Sequence, residues 1–286
     1  MPELPEVESV KLGLNQLVKG KAIDHVQVDW PRIVGAETLQ EVADFSQALQ
    51  GQTIEEIGRR GKYLIFNLSE CVLISHLRME GKYLHIPASQ KATYQPDKHT
   101  HVQFHLMDHS ILAYHDVRKF GRMEIISKDQ VQIYFQAKGL GPEPTAETFD
   151  LEKFQQALAK INRAIKPVLL GQKLVVGLGN IYVDEALFAA KIHPGRPASS
   201  LQIYETQALH QAILTVLAKA VEAGGSSIRT YRNSLGEAGK FQQQLQVYGR
   251  QGQACPQCQK TIEKIQLAQR GTHFCPYCQV LTREGQ

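Results

Sequence analysis

The sequence predicts an α+β fold with several domains. Short segments rich in β-branched and aromatic residues recur between positions 23 and 126, whereas apolar residues fall at helical spacing between positions 151 and 223. Four cysteines follow near the C-terminus with the spacing of a small metal-binding module. With 286 residues, 43% of them hydrophobic, the chain can bury more than one core.

The first predicted element is an amphipathic helix. Apolar residues recur from Val7 onward, polar residues occupy the opposite side, and Gly20 ends the pattern. Pro5 suits the first turn of such a helix, and Glu6 and Glu8 suit the positive end of its dipole. Helix initiation is therefore one sufficient explanation of this segment.

The same segment also offers a reactive group. It lacks the pattern of a secretory signal, so we expect it to be retained, and we expect Met1 to be removed because proline is small. The secondary amine of Pro2 would then stand beside Glu3. A neutral amine attacks an electrophilic carbon such as a sugar C1′, and a proline adduct remains a cationic iminium. Glu3 and Glu6 could transfer protons in that reaction.

Eight short segments predict the strands of a β-sandwich. They are 23–28, 53–58, 63–68, 72–75, 82–86, 102–106, 111–115 and 122–126. A Gly/Pro-rich stretch at 141–144 ends this region, and helices are predicted at 151–161, 164–170, 181–191 and 205–223. The predicted domains are residues 1–142, 143–240 and 241–286.

The charge balance is mildly basic, with a net charge of +4 and a pI of about 8.7. This balance permits a polyanionic partner without proving one. No run of about eighteen apolar residues is present, so no membrane-spanning segment is predicted. Many cations fall in loop-like sequence, where they could reach phosphates. They are Arg59, Arg60, Lys62, Arg118, Lys119, Arg122, Arg229, Arg232, Arg250 and Arg270.

The C-terminal cysteines predict one structural zinc ion. Two pairs with Cys-x2-Cys spacing are the usual zinc knuckles. They are Cys255, Cys258, Cys275 and Cys278. Two disulfides are the alternative, which a reducing cytoplasm disfavours. The fifth cysteine, Cys71, lies in an apolar run and is interpreted as a buried strand thiol.

Two other patterns are compatible with plain structural roles. His99, His101 and His105 alternate as on a strand, so they predict a polar strand face, and we assign no metal to them. Residues 176–180 predict a tight turn before a helix. Such a turn could hold a phosphate or simply connect two helices.

Met79 and Phe120 each lie beside cations and glycine. An apolar side chain flanked by positive charge can act as a wedge between stacked bases. Either residue could instead belong to a hydrophobic core.

Four motifs together resemble bacterial formamidopyrimidine-DNA glycosylases of the Fpg/Nei superfamily. They are Pro-Glu-Leu-Pro-Glu-Val-Glu at 2–8, His-Leu-Arg-Met-Glu-Gly at 76–81, Gly-Leu-Gly-Asn-Ile-Tyr-Val-Asp-Glu at 177–185, and Arg-Gly-Thr-His-Phe-Cys-Pro-x-Cys-Gln at 270–279. The resemblance implies an N-terminal β-sandwich with a leading helix, a helix-two-turn-helix domain and a zinc finger. It also implies a bifunctional glycosylase and lyase that removes 8-oxoguanine and formamidopyrimidines from duplex DNA.

The resemblance assigns roles to individual residues. The implied catalytic residues are Pro2, Glu3, Lys62 and Arg270. The implied DNA contacts are His76, Met79, Arg118, Phe120, Lys166, Asn180 and Tyr248. Met79 and Phe120 would fill the space of the extruded base, and Arg118 would bind the orphaned cytosine. The loop 226–240 would close over the damaged base.

The chain departs from the family pattern at three positions. Gln259 and Gln269 stand where glycine is frequent, and Gly171 where an acidic or amide residue is common. Gln259 is expected to strain its turn. The alternative functions are an endonuclease VIII-like enzyme for oxidised pyrimidines and a non-catalytic zinc-finger DNA-binding protein. We expect a cytoplasmic monomer in either enzyme case.

Overall fold

The computed structural model describes residues 2–227 and 235–281. The chain forms two compact units. The first comprises Met1–Lys138 and Gly224–Gly239, and the second Gly139–Ala223 and Lys240–Gln286. The described residues on either side of 228–234 thus belong to the first unit.

Two four-stranded antiparallel sheets form the β-sandwich of the first unit, as predicted. One has the order β1-β6-β7-β5 and the other β2-β3-β4-β8. The strands are β1 (Ile23–Val28), β2 (Ile54–Arg60), β3 (Tyr63–Leu68), β4 (Cys71–His76), β5 (Lys82–Ile86), β6 (Thr100–Leu106), β7 (Ile111–His115) and β8 (Arg122–Ser127). Both sheets contribute to one core, for example through Phe66 and Phe104.

The leading helix, α1 (Leu4–Val18), adds Val7, Val10 and Leu14 to the same core. Two further helices were not predicted, α2 (Leu39–Leu49) and α3 (Val131–Ala137). Helix α3 buries no residue and so shows no apolar stripe. Helix α2 does have apolar residues at helical spacing, Leu39, Val42, Phe45 and Leu49, although no helix was predicted from them.

Strand pairing places two loops side by side. His76 at the end of β4 pairs with Arg122 at the start of β8. The chain therefore leaves β4 and enters β8 at the same end of the sheet. We call residues 77–81 the Met79 loop and residues 116–121 the Phe120 loop.

The second unit combines helices with a β-hairpin. Its elements are α4 (Leu151–Leu158), α5 (Ile165–Leu170), α6 (Asn180–Ala189), α7 (Ile203–Glu222), β9 (Glu263–Leu267) and β10 (Arg270–Phe274). Between α5 and α6, Gln172 and Gly177 have φ angles of 60° and 97°, and these two turns give the predicted helix-two-turn-helix arrangement. No helix within the described residues is long and apolar enough to cross a bilayer.

Candidate active site and zinc centre

The N-terminal end of α1 is buried. Pro2 is buried and Glu3 is 1% exposed. The Glu3 backbone N–H donates to Glu6 Oε2 at 2.8 Å, and the Ser226 N–H donates to Glu6 Oε1 at 2.6 Å. One carboxylate therefore holds both the start of α1 and the start of the segment 226–240. Glu6 thus has an anchoring role in addition to the helix-dipole role that its position predicted.

Two glycines allow the segment 226–240 to approach this end of α1. A Cβ on Gly225, whose φ is 81°, would lie 2.7 Å from Glu6 Oε1. A Cβ on Gly239 would lie 2.2 Å from the Gly225 carbonyl oxygen. The two ends of the segment therefore meet beside Glu6. Of the loop expected to close over a base, 226–240, residues 228–234 lie outside the described residues.

Lys62 follows the tip of the β2–β3 hairpin and is 8% exposed. Arg59 fixes this tip, because its Nε donates to Glu8 Oε2 at 2.6 Å and its Nη1 donates to the Gly61 carbonyl at 3.0 Å. Burial acts to raise the pKa of Glu8, but hydrogen bonds from Lys11 and Arg59 bring that pKa below its usual value. Arg59 is thus engaged in an internal ion pair, contrary to the expectation that it serves phosphates.

A second brace joins α1 to the same hairpin. The Asn15 side chain accepts the Ile57 N–H at 2.9 Å and donates to the Ile57 carbonyl at 2.7 Å. The Asn15 amide thereby makes the two hydrogen bonds with Ile57 that a residue of a paired strand would make. The result is one rigid frame that carries Pro2, Glu3 and Lys62.

His76 is held as a neutral hydrogen-bond donor. Its Nδ1 accepts the Arg78 N–H at 2.9 Å, so the proton of the neutral ring lies on Nε2. Burial, followed by the charges of Arg78 and Lys62, lowers the pKa of His76 to about 3. At neutral pH this side chain can therefore donate from Nε2 but adds no positive charge.

The Phe120 loop presents an aromatic ring and a guanidinium group. Phe120 is 47% exposed, and the Arg118 guanidinium lies 4.8 Å from its ring centroid. Asp116 fixes the backbone of the loop, because its buried carboxylate accepts the N–H groups of Arg118, Phe120 and Gly121 at 2.8–3.0 Å. Met79 is half-buried in the neighbouring loop. The two expected wedges thus stand in adjacent loops.

The prediction of a polar strand face for the histidines is wrong for His101. It is 2% exposed, and its Nε2 lies 2.8 Å from the Asp116 carbonyl oxygen. Strand β6 is covered on both faces, so alternation does not mark a solvent side. His105 is half-buried and stacks on His25 at a centroid distance of 4.2 Å.

In the second unit, Lys166 is fully buried. Its Nζ contacts Asp184 Oδ1 at 2.7 Å, Thr272 Oγ1 at 2.9 Å and the Gly271 carbonyl at 3.1 Å. Asp184 Oδ2 in turn accepts the His273 N–H at 2.9 Å. In this geometry Lys166 is 0% exposed and offers no atom to DNA, while its Nζ joins Asp184 of α6 to two groups of the β9–β10 hairpin.

Asn180 contacts the same hairpin. Its Nδ2 donates to the Gly271 carbonyl at 2.9 Å, next to the exposed Arg270. Tyr248 packs edge-on against His273 at 4.8 Å. The Glu185 carboxylate accepts the N–H groups of residues 246–248 at 2.8–3.0 Å and so fixes Tyr248. Burial raises the pKa of Glu185 despite these hydrogen bonds.

The four C-terminal cysteines form a zinc centre. Their Sγ atoms all lie within 4.8 Å of one another, and this is the one such cluster in the described part of the chain. Four thiolates complete a tetrahedral zinc shell and leave no position for water, so the ion is structural. The remaining cysteine, Cys71, is half-buried in β4, and burial raises the pKa of its thiol.

Three family models match this chain. The formamidopyrimidine-DNA glycosylase N-terminal domain matches residues 1–123, the H2TH domain of the same enzymes residues 140–232, and the zinc finger found in FPG and IleRS residues 252–280. A formamidopyrimidine-DNA glycosylase of Enterococcus faecalis is 57% identical over 98% of both chains. The chain belongs to the formamidopyrimidine-DNA glycosylase family.

Other members of the family are similar to this chain over nearly its whole length. Formamidopyrimidine-DNA glycosylases of Shouchella clausii and Streptococcus pneumoniae are 54% and 51% identical, over 98% of this chain and 99% of each relative. A complex of Lactococcus lactis Fpg with DNA containing N7-benzyl-Fapy-dG has a TM-score of 0.91 and 47% identity, covering 98% of this chain and all of that one. A complex of the same protein with abasic-site DNA has a TM-score of 0.90.

This member of the formamidopyrimidine-DNA glycosylase family carries strain at two of its unusual positions. Gln259 and Gln269 have φ angles of 63° and 61°, the left-handed region that favours glycine. Gly171 has a φ angle of −67° and needs no glycine.

Sequence analysis missed several residues that support the site. Asp116 could have been found, because an aspartate in Asp-Val-Arg-Lys-Phe-Gly suits a turn in which its carboxylate binds the backbone N–H two residues on. Asp184 and Glu185 gave no such signal, since a buried carboxylate on a helix looks like a solvated one in sequence.

Proposed function

We propose that this protein is a base-excision-repair DNA glycosylase and AP lyase that removes oxidised purines, 8-oxoguanine and formamidopyrimidines, from duplex DNA. The observation that carries the proposal is the braced frame of Pro2, Glu3 and Lys62 in a chain of this family. The DNA-bound Lactococcus lactis relatives, with Fapy-type and abasic lesions, support the substrate class.

The Pro2 amine, freed by removal of Met1, attacks C1′ of the damaged nucleotide. The N–C1′ bond forms as the glycosidic bond breaks, the amine gives up its proton, and the base leaves with a proton. The C1′–O4′ bond then opens, with a proton going to O4′, and the nitrogen lone pair forms the iminium. The resulting iminium withdraws electrons, so loss of a C2′ proton expels the 3′ phosphate in β-elimination, and δ-elimination then expels the 5′ phosphate. Glu3 transfers the protons in these steps.

The other predicted residues hold the DNA. Lys62 and Arg270 pair with phosphates, and neutral His76 donates Nε2–H to another, a contact that does not depend on charge. Met79 and Phe120 fill the vacated stack and offset part of the cost of base extrusion. Arg118 binds the orphaned cytosine.

The second unit presents the remaining contacts. Asn180 binds a backbone phosphate, and its bond to the Gly271 carbonyl places it beside Arg270. Lys166, predicted near the sugar-phosphate, holds the same carbonyl from the interior and positions Arg270. Tyr248 lies beside this hairpin and completes the phosphate contacts. The zinc ion, when bound by its four cysteines, keeps the hairpin folded. We further propose that the domains follow the predicted division and that the protein acts as a cytoplasmic monomer.

A panel of lesion duplexes tests this function. Purified protein should excise 8-oxoguanine and formamidopyrimidine opposite cytosine faster than oxidised pyrimidines. Glu3→Gln should lower single-turnover excision by about 10²–10⁴-fold, because it removes a positioned proton donor. Glu37→Gln, an exposed glutamate of the same unit, is the matched control and should retain activity.

Excision of oxidised pyrimidines alone would instead support an endonuclease VIII-like enzyme. DNA binding without any excision or lyase activity, in protein shown to lack Met1, would support a non-catalytic binding protein.

A further inference from the structure

Tyr114, in β7, lies on the core side of the Met79 loop and the Phe120 loop. It is fully buried, yet its hydroxyl meets the backbone of each loop. A Cβ on Gly81 would lie 2.2 Å from Tyr114 Oη, and a Cβ on Gly121 would lie 1.7 Å from it. Neither glycine has a positive φ angle, so backbone conformation requires glycine at neither position. Both positions require glycine because a larger residue would clash with the Tyr114 hydroxyl.

The Tyr114 hydroxyl makes no hydrogen bond within the described residues. A buried hydroxyl without a partner costs stability, and phenylalanine would avoid that cost. Tyr83 provides the contrast in the same core. Its ring packs against Tyr114 at 5.2 Å, and its hydroxyl donates to Ser75 Oγ at 2.8 Å. Contact with the two glycines, and not a hydrogen bond, is therefore the reason that tyrosine stands at position 114 instead of phenylalanine.

Each loop is already fixed internally. The Gly81 N–H donates to the Leu77 carbonyl at 3.0 Å and closes the Met79 loop. The Asp116 carboxylate closes the Phe120 loop.

Strand pairing holds the ends of the loops together, since His76 pairs with Arg122 and Lys82 with His115. Between these ends, Tyr114 Oη touches both loops and sets how far apart their middle residues stand.

We propose that Tyr114 is a positioning residue that sets the separation of the Met79 and Phe120 loops and thereby the efficiency of base extrusion. The inference rests on the proposed glycosylase function. Extrusion of an intact base needs both wedges at the correct spacing. At a pre-formed abasic site no base has to be unstacked, so strand cleavage there depends less on that spacing.

The decisive variant is Tyr114→Phe, which removes one oxygen and leaves the ring in the core. It should slow single-turnover excision of 8-oxoguanine opposite cytosine about tenfold, a typical effect of a small misplacement. Cleavage at an abasic site should remain within about twofold of the wild type, because no group at the reacting centre has changed. Tyr83→Phe is the matched control. It loses a real hydrogen bond in the same core but should not separate the two activities.

A pair of alanine variants tests the contact itself. Gly121→Ala should slow excision, and adding Tyr114→Phe should recover part of the loss, because the closest remaining atom is Tyr114 Cζ at 2.7 Å. Gly81→Ala should be rescued less, since the Leu77 carbonyl oxygen at 2.6 Å is unaffected. A 2-aminopurine beside the lesion would report the unstacking directly through its fluorescence.

Equal excision losses in Tyr114→Phe and Tyr83→Phe, or an unchanged excision rate in Tyr114→Phe, would overturn the inference. So would equal rescue of Gly81→Ala and Gly121→Ala. Failure of the proposed function is distinguishable, because the wild-type protein itself would then leave 8-oxoguanine in the duplex. Thermal unfolding of each variant confirms that the rates refer to folded protein.

Discussion

Three buried carboxylates organise the backbone around the proposed site. Glu6 accepts two N–H groups, Asp116 accepts three and Glu185 accepts three. An ionised carboxylate forms stronger hydrogen bonds than a neutral acceptor, and a buried acceptor without donors is costly. Each of these residues therefore fixes a loop without itself touching DNA in the proposed mechanism.

His76 makes the stability of the first unit depend on pH. Its pKa is lowered to about 3 in the folded protein, whereas an unfolded histidine titrates near 6.5. The unfolded state therefore binds more protons between these values, so stability is lost as the pH falls below about 6.5. His76→Gln should remove about 1–2 kcal/mol of the difference in unfolding free energy between pH 7 and pH 5.

Urea unfolding at pH 7 and pH 5 measures this difference. If the wild type and His76→Gln lose the same stability between the two pH values, His76 is not held neutral by its surroundings.

At the scale of elements, the strands of the sandwich were predicted, whereas the helices α2 and α3 were missed. Strand β3 buries every second residue, so its alternation is visible in sequence. Helix α2 depends on a capping box in which Thr38 and Glu41 bond each other's backbone N–H groups. Its apolar residues also recur at helical spacing, at Leu39, Val42, Phe45 and Leu49, so this helix could have been predicted from sequence. Leu39 is nevertheless 87% exposed, and only Phe45 and Leu49 are buried.

The buried Lys166–Asp184 pair is expected to be a main support of the β9–β10 hairpin. Lys166→Met should destabilise the second unit by about 3–5 kcal/mol, because it leaves the Asp184 charge buried and uncompensated. Asp184→Asn in the same chain should recover part of this loss, since the charge is then removed with its partner.

Lys128 provides a matched control, because its ion pair with Glu55 is exposed on both sides. Lys128→Met should change the unfolding free energy by less than about 1 kcal/mol. Denaturant unfolding with saturating zinc compares the variants. A loss in Lys166→Met as small as that in Lys128→Met would contradict the importance of the buried pair.

At the scale of the whole molecule, long-range contacts limit what sequence can show. The motifs predicted Pro2 and Glu3, and the cysteine spacing predicted the zinc ligands, because these residues lie in short recognisable patterns. Lys62 lies outside the motifs and was assigned only by the family resemblance. The bond from Ser226 to Glu6 spans 220 positions, and that from Lys166 to Thr272 spans 106. Periodicity and spacing carry no information on such pairs, so Lys166 was interpreted as a DNA contact rather than a buried support.

The net charge of +4 also does not tell which cations are paired inside the protein and which are exposed. Arg59, Lys166 and Arg196 are each paired with a carboxylate inside the protein. Arg118 and Arg270, by contrast, have exposed side chains that are available to phosphates and bases. Local placement, and not the overall balance, therefore supports a DNA partner.

The central claim is that the Pro2 amine forms the covalent bond with the sugar. Protein mixed with an 8-oxoguanine duplex and sodium borohydride should give a stable adduct, because borohydride reduces the iminium. Proteolysis and mass spectrometry should place the adduct on the N-terminal peptide that begins at Pro2, and protein with a blocked N-terminus should give none. An adduct on Lys62 or another lysine, or an unchanged lyase rate with the blocked N-terminus, would contradict the account.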